Sequence, residues 1–240
     1  MTTDQTQRTS ARLVVAVDGP SSSGKSTVGA EAARRLGYRF CDTGLLYRAV
    51  AWLAVERGVA PDQTAELVPL AGEVELVADR RGRLRHVEAA GHDVTAEVHR
   101  PGVDRAVSNY SKVPELRAAL VPRQRALAAD GAIIMAGRDI GTVILPNADV
   151  KIYLYASPEE RARRRAAQRR VKADETQADG ILEDMRRRDA IDSERETAPL
   201  RTADDAIVLK TDGNTFDQTV AAVVRAIREV EATRGGNRGR

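Results

Sequence analysis

The sequence predicts an α/β fold: a three-layer arrangement with a five-stranded parallel sheet, helices on both faces, an inserted small lobe and an arginine-rich lid. The first observation behind this is an apolar run at residues 13–17. It leads into Gly19-Pro20-Ser21-Ser22-Ser23-Gly24-Lys25-Ser26-Thr27 and then into a helical pattern over 28–36. Strand, glycine-rich turn and helix start, in that order, are the context a phosphate-binding loop (P-loop) requires. The second is that further apolar runs at 38–41, 132–136, 150–155 and 206–209 alternate with helical patterns, as in a sheet joined through crossover helices. The third is size: 240 residues, 42% hydrophobic, suffice for one such domain with a small lobe rather than two independent domains.

In chain order, residues 1–12 are polar and without periodicity and read as a disordered leader. The first strand, 13–17, is continuously apolar because helices are expected on both faces of a parallel sheet. In the loop, glycines at both ends let successive N–H groups turn inward toward phosphate oxygens, and the helix N-terminus adds its positive dipole end. Lys25 is then expected to reach the β- and γ-phosphates, and the Ser26 hydroxyl to bind Mg²⁺. Val28, Ala32 and Leu36 form the inward stripe of the first helix, which stops at Gly37. A second strand at 38–41 precedes Asp42-Thr43-Gly44-Leu45-Leu46-Tyr47-Arg48. Here Arg48 either approaches an anion held opposite the loop or lies on a solvated helix face.

Residues 49–70 read as helix interrupted at Gly58 and Pro61. Short strands at 73–77 and 85–88 around a turn at 79–82 break the strand–helix rhythm, so residues 66–107 are expected to form a small inserted lobe. His86, His92 and Asp93 fall there with irregular spacing and no cysteine, which favours an ordinary surface over a metal site. Helical patterns follow at 103–107 and 115–127, the second expected to kink or split at Pro122. Ser108 and Arg117 by themselves read as surface residues.

The third strand, 132–136, ends in Gly137-Arg138-Asp139-Ile140-Gly141-Thr142. Ligands of open α/β sheets bind beyond the carboxyl ends of the strands, where the loop, the 42–48 turn and the 137–139 turn all emerge. After the fourth strand, Ser157 and Pro158 cap a helix carrying Arg161, Arg163, Arg164, Arg165, Arg169 and Arg170. Salt bridges to Glu159, Glu160, Asp174 and Glu175, a nucleic-acid patch, and a lid over a transferring phosphoryl group compete as readings, and the upstream loop favours the lid. A helix at 181–192 sets Arg188 and Asp192 on one face, with Arg195 just beyond. An amphipathic helix at 215–233 precedes a glycine- and arginine-rich tail, 234–240, read as disordered. The expected division is therefore one domain over 13–233: core 13–65, 108–156 and 173–233, insert 66–107, and lid 157–172.

Composition narrows the function classes. With 38 basic and 35 acidic residues the formal charge is only +3, and 3% aromatics leave little surface for stacking bases. Cys41, the single cysteine, excludes an internal disulfide and fits a reducing compartment. No run approaches a membrane span, and residues 1–12 lack the apolar centre of a signal peptide, so a cytoplasmic protein is expected.

Taken together, these segments resemble the bacterial cytidylate kinases, nucleoside monophosphate kinases with an extra insert in the acceptor lobe. The resemblance spans residues 13 to about 230. It is carried by residues 18–27, Asp42-Thr43-Gly44-Leu45-Leu46-Tyr47-Arg48, Gly137-Arg138-Asp139-Ile140-Gly141-Thr142-Val143, Lys151-Ile152-Tyr153-Leu154, the arginine run and Arg186-Arg187-Arg188-Asp189. It implies Mg²⁺-dependent transfer of the γ-phosphoryl group of ATP to CMP, and to dCMP. A monomer acting on these small molecules, with no nucleic-acid or membrane partner, is the expectation. Gly19 through Thr27 would bind ATP. Arg48 and Arg138, assisted by Arg195, would hold the acceptor phosphate. Ser108, Arg117 and Asp139 would read cytosine, Arg188 and Asp192 would contact ribose, and Thr43 and Tyr47 would complete the acceptor site. Lys25, Arg138, Arg161, Arg164 and Arg165 would serve the transferring phosphoryl group. The sequence departs from the family where an acidic residue usually precedes Gly-Arg-Asp: that position is Ala136, which leaves Asp18 or Asp42 to substitute at the metal, or a lower turnover. Two other classes remain as alternatives, a P-loop kinase for another small acceptor and a nucleotide-regulated nucleic-acid-binding protein.

Overall fold

The computed structural model describes residues 13–168 and 175–236. The leader at 1–12, Arg169 and Arg170 of the arginine run, and the last residues of the tail lie outside the described residues.

Strand β1 (Val14–Asp18) feeds the glycine-rich loop and helix α1 (Lys25–Leu36); β2 (Arg39–Asp42) and helix α2 (Gly44–Glu56) follow. A short α3 (Thr64–Leu67) and a 3-10 turn (Val68–Glu73) lead into β3 (Val74–Ala78), β4 (Arg83–Ala89) and β5 (His92–Asp93). Next come α4 (Pro101–Ser111), α5 (Pro114–Ala128), β6 (Ile133–Ala136), a π-type turn (Ile140–Ile144) and β7 (Val150–Tyr155). Helices α6 (Pro158–Gln168) and α7 (Glu175–Glu194), strand β8 (Ile207–Lys210) and α8 (Phe216–Gly236) complete the chain. Helix α8 thus carries helical structure to Gly236, past the point at which the tail was expected to begin.

The expected parallel core is present in the spatial order β2-β6-β1-β7-β8. Its central strands β1 and β6 are apolar on both sides because each supplies two cores: Val15 and Val17 pack in one cluster with α1 and α8, while Ala16 belongs to the other, with α2, α4 and α5. Ile133 and Met135 of β6 face the second cluster and Ile134 and Ala136 the first.

Two local expectations change. The insert is a continuation of the sheet. Antiparallel β3 and β4 form a hairpin whose β4 pairs in parallel with β2, Phe40 opposite Arg83 and Cys41 opposite Leu84, giving an eight-stranded sheet in which the short β5 pairs antiparallel with the end of β4. The reason is burial: Leu76, Leu84 and Val87 share one apolar cluster with Leu46, Val50 and Leu53 of α2, so the hairpin needs the same helix as the core. And α5 runs unbroken through Pro122. Proline frees the carbonyl four residues back, on Ala118; both residues lie on the exposed face, where water can hydrate that carbonyl.

Gly19 shows why the loop is built as it is. Its φ is 147°, and a Cβ there would stand 2.2 Å from the Leu154 carbonyl oxygen of β7. Only glycine lets the chain leave β1 this close to the neighbouring strand.

Candidate active site

The site is assembled at the carboxyl ends of β1, β2 and β6. The loop closes with Gly24 in the left-handed region, φ 99°, as the cap of α1. Lys25 opens that helix almost wholly buried, and its Nζ donates to the Pro20 carbonyl at 2.6 Å. Burial, and then the charge of Arg138, hold its ammonium well below the usual lysine range. The buried hydroxyls of Ser21 and Ser23 have no hydrogen-bond partner among the described residues. Donors left without partners beside a helix N-terminus suit an anionic ligand.

The arginines of α6 divide. Arg161 is buried against the loop: its guanidinium donates to the carbonyls of Ala156 at 3.0 Å and Ser21 at 3.3 Å, and pairs with Asp189 of α7 at 2.6 Å. Arg164 donates to the Ser23 carbonyl at 3.4 Å and to the Thr211 hydroxyl and carbonyl at 3.0 and 2.7 Å. Arg163 points outward, 71% exposed, on Glu160. Arg165 reaches across to Asp104 of α4. The described cations of this helix, Arg161, Arg163, Arg164 and Arg165, are thus each engaged within the chain.

Beside the loop lies a cleft of about 570 Å³. It is lined by Asp42, Thr43, Gly44, Tyr47 and Arg48 at the start of α2, Val107, Ser108 and Ser111 of α4, Arg117 of α5, Gly137, Arg138 and Asp139 after β6, Arg188 and Asp192 of α7, and Arg195. Every acceptor-side candidate from the sequence is among them. Arg117 and Asp139 form an ion pair with side chains only 3% and 6% exposed; Arg117 also donates to the Ser111 carbonyl at 3.0 Å and stacks over the Tyr47 ring, 5.2 Å from its centroid. Arg195 stands 3.5 Å from the other Asp139 oxygen and donates to Ala198 at 2.6 Å. Arg138 pairs with Asp192 at 2.8 Å. Among the described residues Arg188 makes no hydrogen bond or ion pair, and burial followed by the charges of Arg138 and Arg48 lowers it to about 10 despite Asp104 and Asp192 nearby.

The turn that presents Arg138 and Asp139 is pinned from β1. The two carboxylate oxygens of Asp18 accept from the backbone N–H groups of Ile140 at 2.8 Å and Gly141 at 2.7 Å. Gly137 is required here, since a Cβ would lie 2.6 Å from Ile140 and 2.8 Å from the Thr43 hydroxyl. Burial pushes the Asp18 carboxyl up from 3.8 to about 6, against the opposing pull of those two amides. A raised folded-state pKa favours the neutral group, so this contribution to stability is fully present below pH 3.8 and is lost as pH rises through about 6. The term is worth about 3 kcal/mol at most. The stability gap between the parent chain and Asp18→Asn is therefore expected to narrow as pH rises from about 4 to about 7. Urea unfolding of both chains at the two pH values checks it, and a widening gap would contradict it.

Ser26 and Asp42 meet directly, the hydroxyl donating to the carboxylate, whose other oxygen accepts from Gly44 N–H at 3.0 Å. Ala136 is Asp42's register partner across β6 and is buried in an apolar cluster with Val17 and Ile134. Of the two carboxylates considered as substitutes, Asp18 is taken up by backbone amides and Asp42 touches Ser26. A hydroxyl and a carboxylate are hard oxygen donors of the kind Mg²⁺ takes, alongside phosphate and water. Among the described residues no three His, Cys, Asp or Glu side chains come together, at His86, His92 and Asp93 included.

Sequence reasoning missed Asp104, which accepts from Arg48 at 2.6 Å as well as from Arg165. The signal was there: Asp104, Ser108 and Ser111 are spaced for one face of α4. It also missed Asp189 and Thr211 as the partners of Arg161 and Arg164.

A family model described as cytidylate kinase matches residues 15–229. Among curated relatives, the cytidylate kinase of Geobacillus thermodenitrificans is 43% identical over 220 residues, covering 91% of this chain and 97% of that one. That of Geobacillus sp. strain WCH70 is 42% identical over 217 residues, 90% of this chain and 96% of its own. The cytidylate kinase of Geobacter sulfurreducens is 41% identical over 224 residues, 93% and 96%.

Proposed function

We propose that this chain, which belongs to the cytidylate kinase family, transfers the γ-phosphoryl group of ATP to CMP, and to dCMP, giving ADP and the diphosphate. The observation that carries the reading is the convergence of every acceptor-side candidate in one cleft beside the phosphate loop.

In this reading residues 19–27 wrap the triphosphate, and Lys25 leaves the Pro20 carbonyl to meet the β- and γ-phosphates. Arg48, Arg138 and Arg195 take the acceptor's phosphate, and Arg188 and Asp192 the ribose, with Thr43 and Tyr47 closing the wall. Asp139 accepts from the exocyclic amine of cytosine, while Arg117 and Ser108 satisfy the rest of that edge. Uracil would turn a carbonyl toward the Asp139 carboxylate and leave it unpaired, a mismatch a hydrogen-bonding site rejects by about 10⁴. Ser26 and Asp42 are the residues that would hold Mg²⁺, which supplies charge neutralisation on the phosphates. Arg161, Arg164 and Arg165 neutralise charge spreading over the transferred group. Nothing covalent is needed from the protein, since alignment and preorganised charge lower the barrier.

Among the described residues no helix is long and apolar enough to cross a membrane. A monomer working in the cytoplasm on small-molecule substrates completes the proposal.

The test is ADP formation from Mg-ATP with CMP, dCMP, UMP, AMP and GMP each offered as acceptor. CMP and dCMP should dominate. Equal rates with all five, or a preference for AMP or UMP, would replace this reading with that of a kinase for another acceptor.

A further inference from the structure

One carboxylate joins the acceptor cleft to the helix that backs the phosphate loop. Asp104 is 8% exposed at its side chain, on α4; its Oδ1 accepts from Arg48 of α2 at 2.6 Å and its Oδ2 from Arg165 of α6. Arg48 is fixed a second time by the Val98 carbonyl at 3.1 Å, so both terminal nitrogens of its guanidinium are held from behind the cleft. Arg188 of α7 faces the same carboxylate electrostatically and lines both the acceptor cleft and a second, small cavity between α4, α6 and α7. That cavity has Asp104 and Arg165 in its wall, with Ile181 and Met185 of α7. Although burial works against the charge, Arg48 and Arg165 bring the Asp104 carboxyl down to about 2. Guanidiniums from three helices therefore converge on a single anion, and without it they would repel at short range.

We propose that Asp104 is a positioning residue for phosphoryl transfer: its carboxylate sets the pose of Arg48 toward the acceptor's phosphate and ties that pose to Arg165, so that α6 and the acceptor cleft respond to one another. The inference rests on the acceptor reading above for what Arg48 binds, but not for the link itself. An acceptor phosphate arriving at Arg48 adds negative charge beside Asp104. The hold of Asp104 on the arginines is then shared, and Arg165 can turn toward the transferring group while Arg48 stays aimed.

The experiment uses Asp104→Asn, Arg165→Met and the double variant in the full chain, with steady-state kinetics at varied CMP, thermal melting, and hydrogen exchange of α6. In Asp104→Asn the amide can accept from one arginine only and turns N–H groups on the other. KM for CMP is expected to rise about tenfold, with a smaller fall in kcat. Exchange of the α6 amides should quicken without ligand, and the double variant should be clearly less impaired in kcat/KM than the product of the singles. Asp104→Glu, which keeps the charge, should recover most of the loss. A KM within twofold of the parent, unchanged α6 exchange, or multiplicative single effects would overturn the proposal, since a purely structural aspartate would move only the melting temperature. If Asp104→Asn does not fold, Asp104→Glu and Arg165→Met carry the same test: Arg165→Met must quicken α6 exchange and raise KM for CMP, although Arg165 does not itself line the cleft. A parent chain that fails to phosphorylate CMP would sink the functional reading alone, while α6 exchange in the variants still decides whether Asp104 makes the link.

Discussion

Lys25→Met is expected to lower kcat by about 10³-fold or more while leaving the chain at least as stable as the parent. The two effects have one origin. Lys25 is buried, and the interior holds its ammonium well below the ordinary lysine range, so the folded chain carries a cation it would rather not carry. Its single hydrogen bond among the described residues, to the Pro20 carbonyl, offsets only part of that cost. A methionine of similar length fills the same space without a charge to desolvate. What is lost is the ammonium expected to meet the β- and γ-phosphates. Single-turnover ADP formation and thermal melting, measured side by side, check both halves. A variant that melts well below the parent would show that the lysine is structural.

Asp139→Asn should have the second largest effect, on specificity and stability together. The carboxylate sits between Arg117 and Arg195, nearly inaccessible to solvent. Neutralising it leaves two guanidiniums without their counter-charge, at a cost of about 3–5 kcal/mol. At the substrate, an amide can present either its carbonyl to the cytosine amine or its N–H to the uracil carbonyl. The preference for CMP over UMP, expected at about 10⁴ in the parent, should fall to about tenfold or less, mostly through loss of kcat/KM for CMP. Urea unfolding and paired kinetics with the two acceptors read the outcome. A variant that is destabilised but keeps its preference would move base reading elsewhere in the cleft.

These residues were legible in the sequence because their signals are local. The strand–loop–helix order around Lys25 is contained within residues 13–36, and Gly137-Arg138-Asp139 follows directly on an apolar strand. Continuous apolarity in β1 and β6 announced helices on both faces, and the two clusters that share their alternate residues bear this out. What escaped was long-range. The pairing of Phe40 with Arg83 depends on two segments competing for the same face of α2, and no periodicity within either segment reports it. Arg48 and Arg165 meet on Asp104 from 56 and 61 residues away. The arginine run was weighed as a unit, yet Arg161 is buried and Arg163 is outside, because neighbours on a helix point in different directions and only the partners Asp189 and Glu160 say which is which. Pro122 illustrates the opposite error, a strong local rule relaxed because the freed carbonyl can face water.

The Ser26–Asp42 contact came from the same kind of convergence. Asp42 is one of the two carboxylates expected to substitute at the metal, and its two oxygens divide between the Gly44 amide at the start of α2 and the Ser26 hydroxyl.

The central claim is direct transfer between two ligands held in adjoining sites. It is tested most directly by incubating the chain with ATP labelled in its γ-phosphate, Mg²⁺ and CMP, and locating the label in the products. The account predicts label in the β-phosphate of CDP, with little free inorganic phosphate, and almost none transferred when UMP replaces CMP. Label released as inorganic phosphate whether or not CMP is present, or transferred equally to UMP, would contradict it.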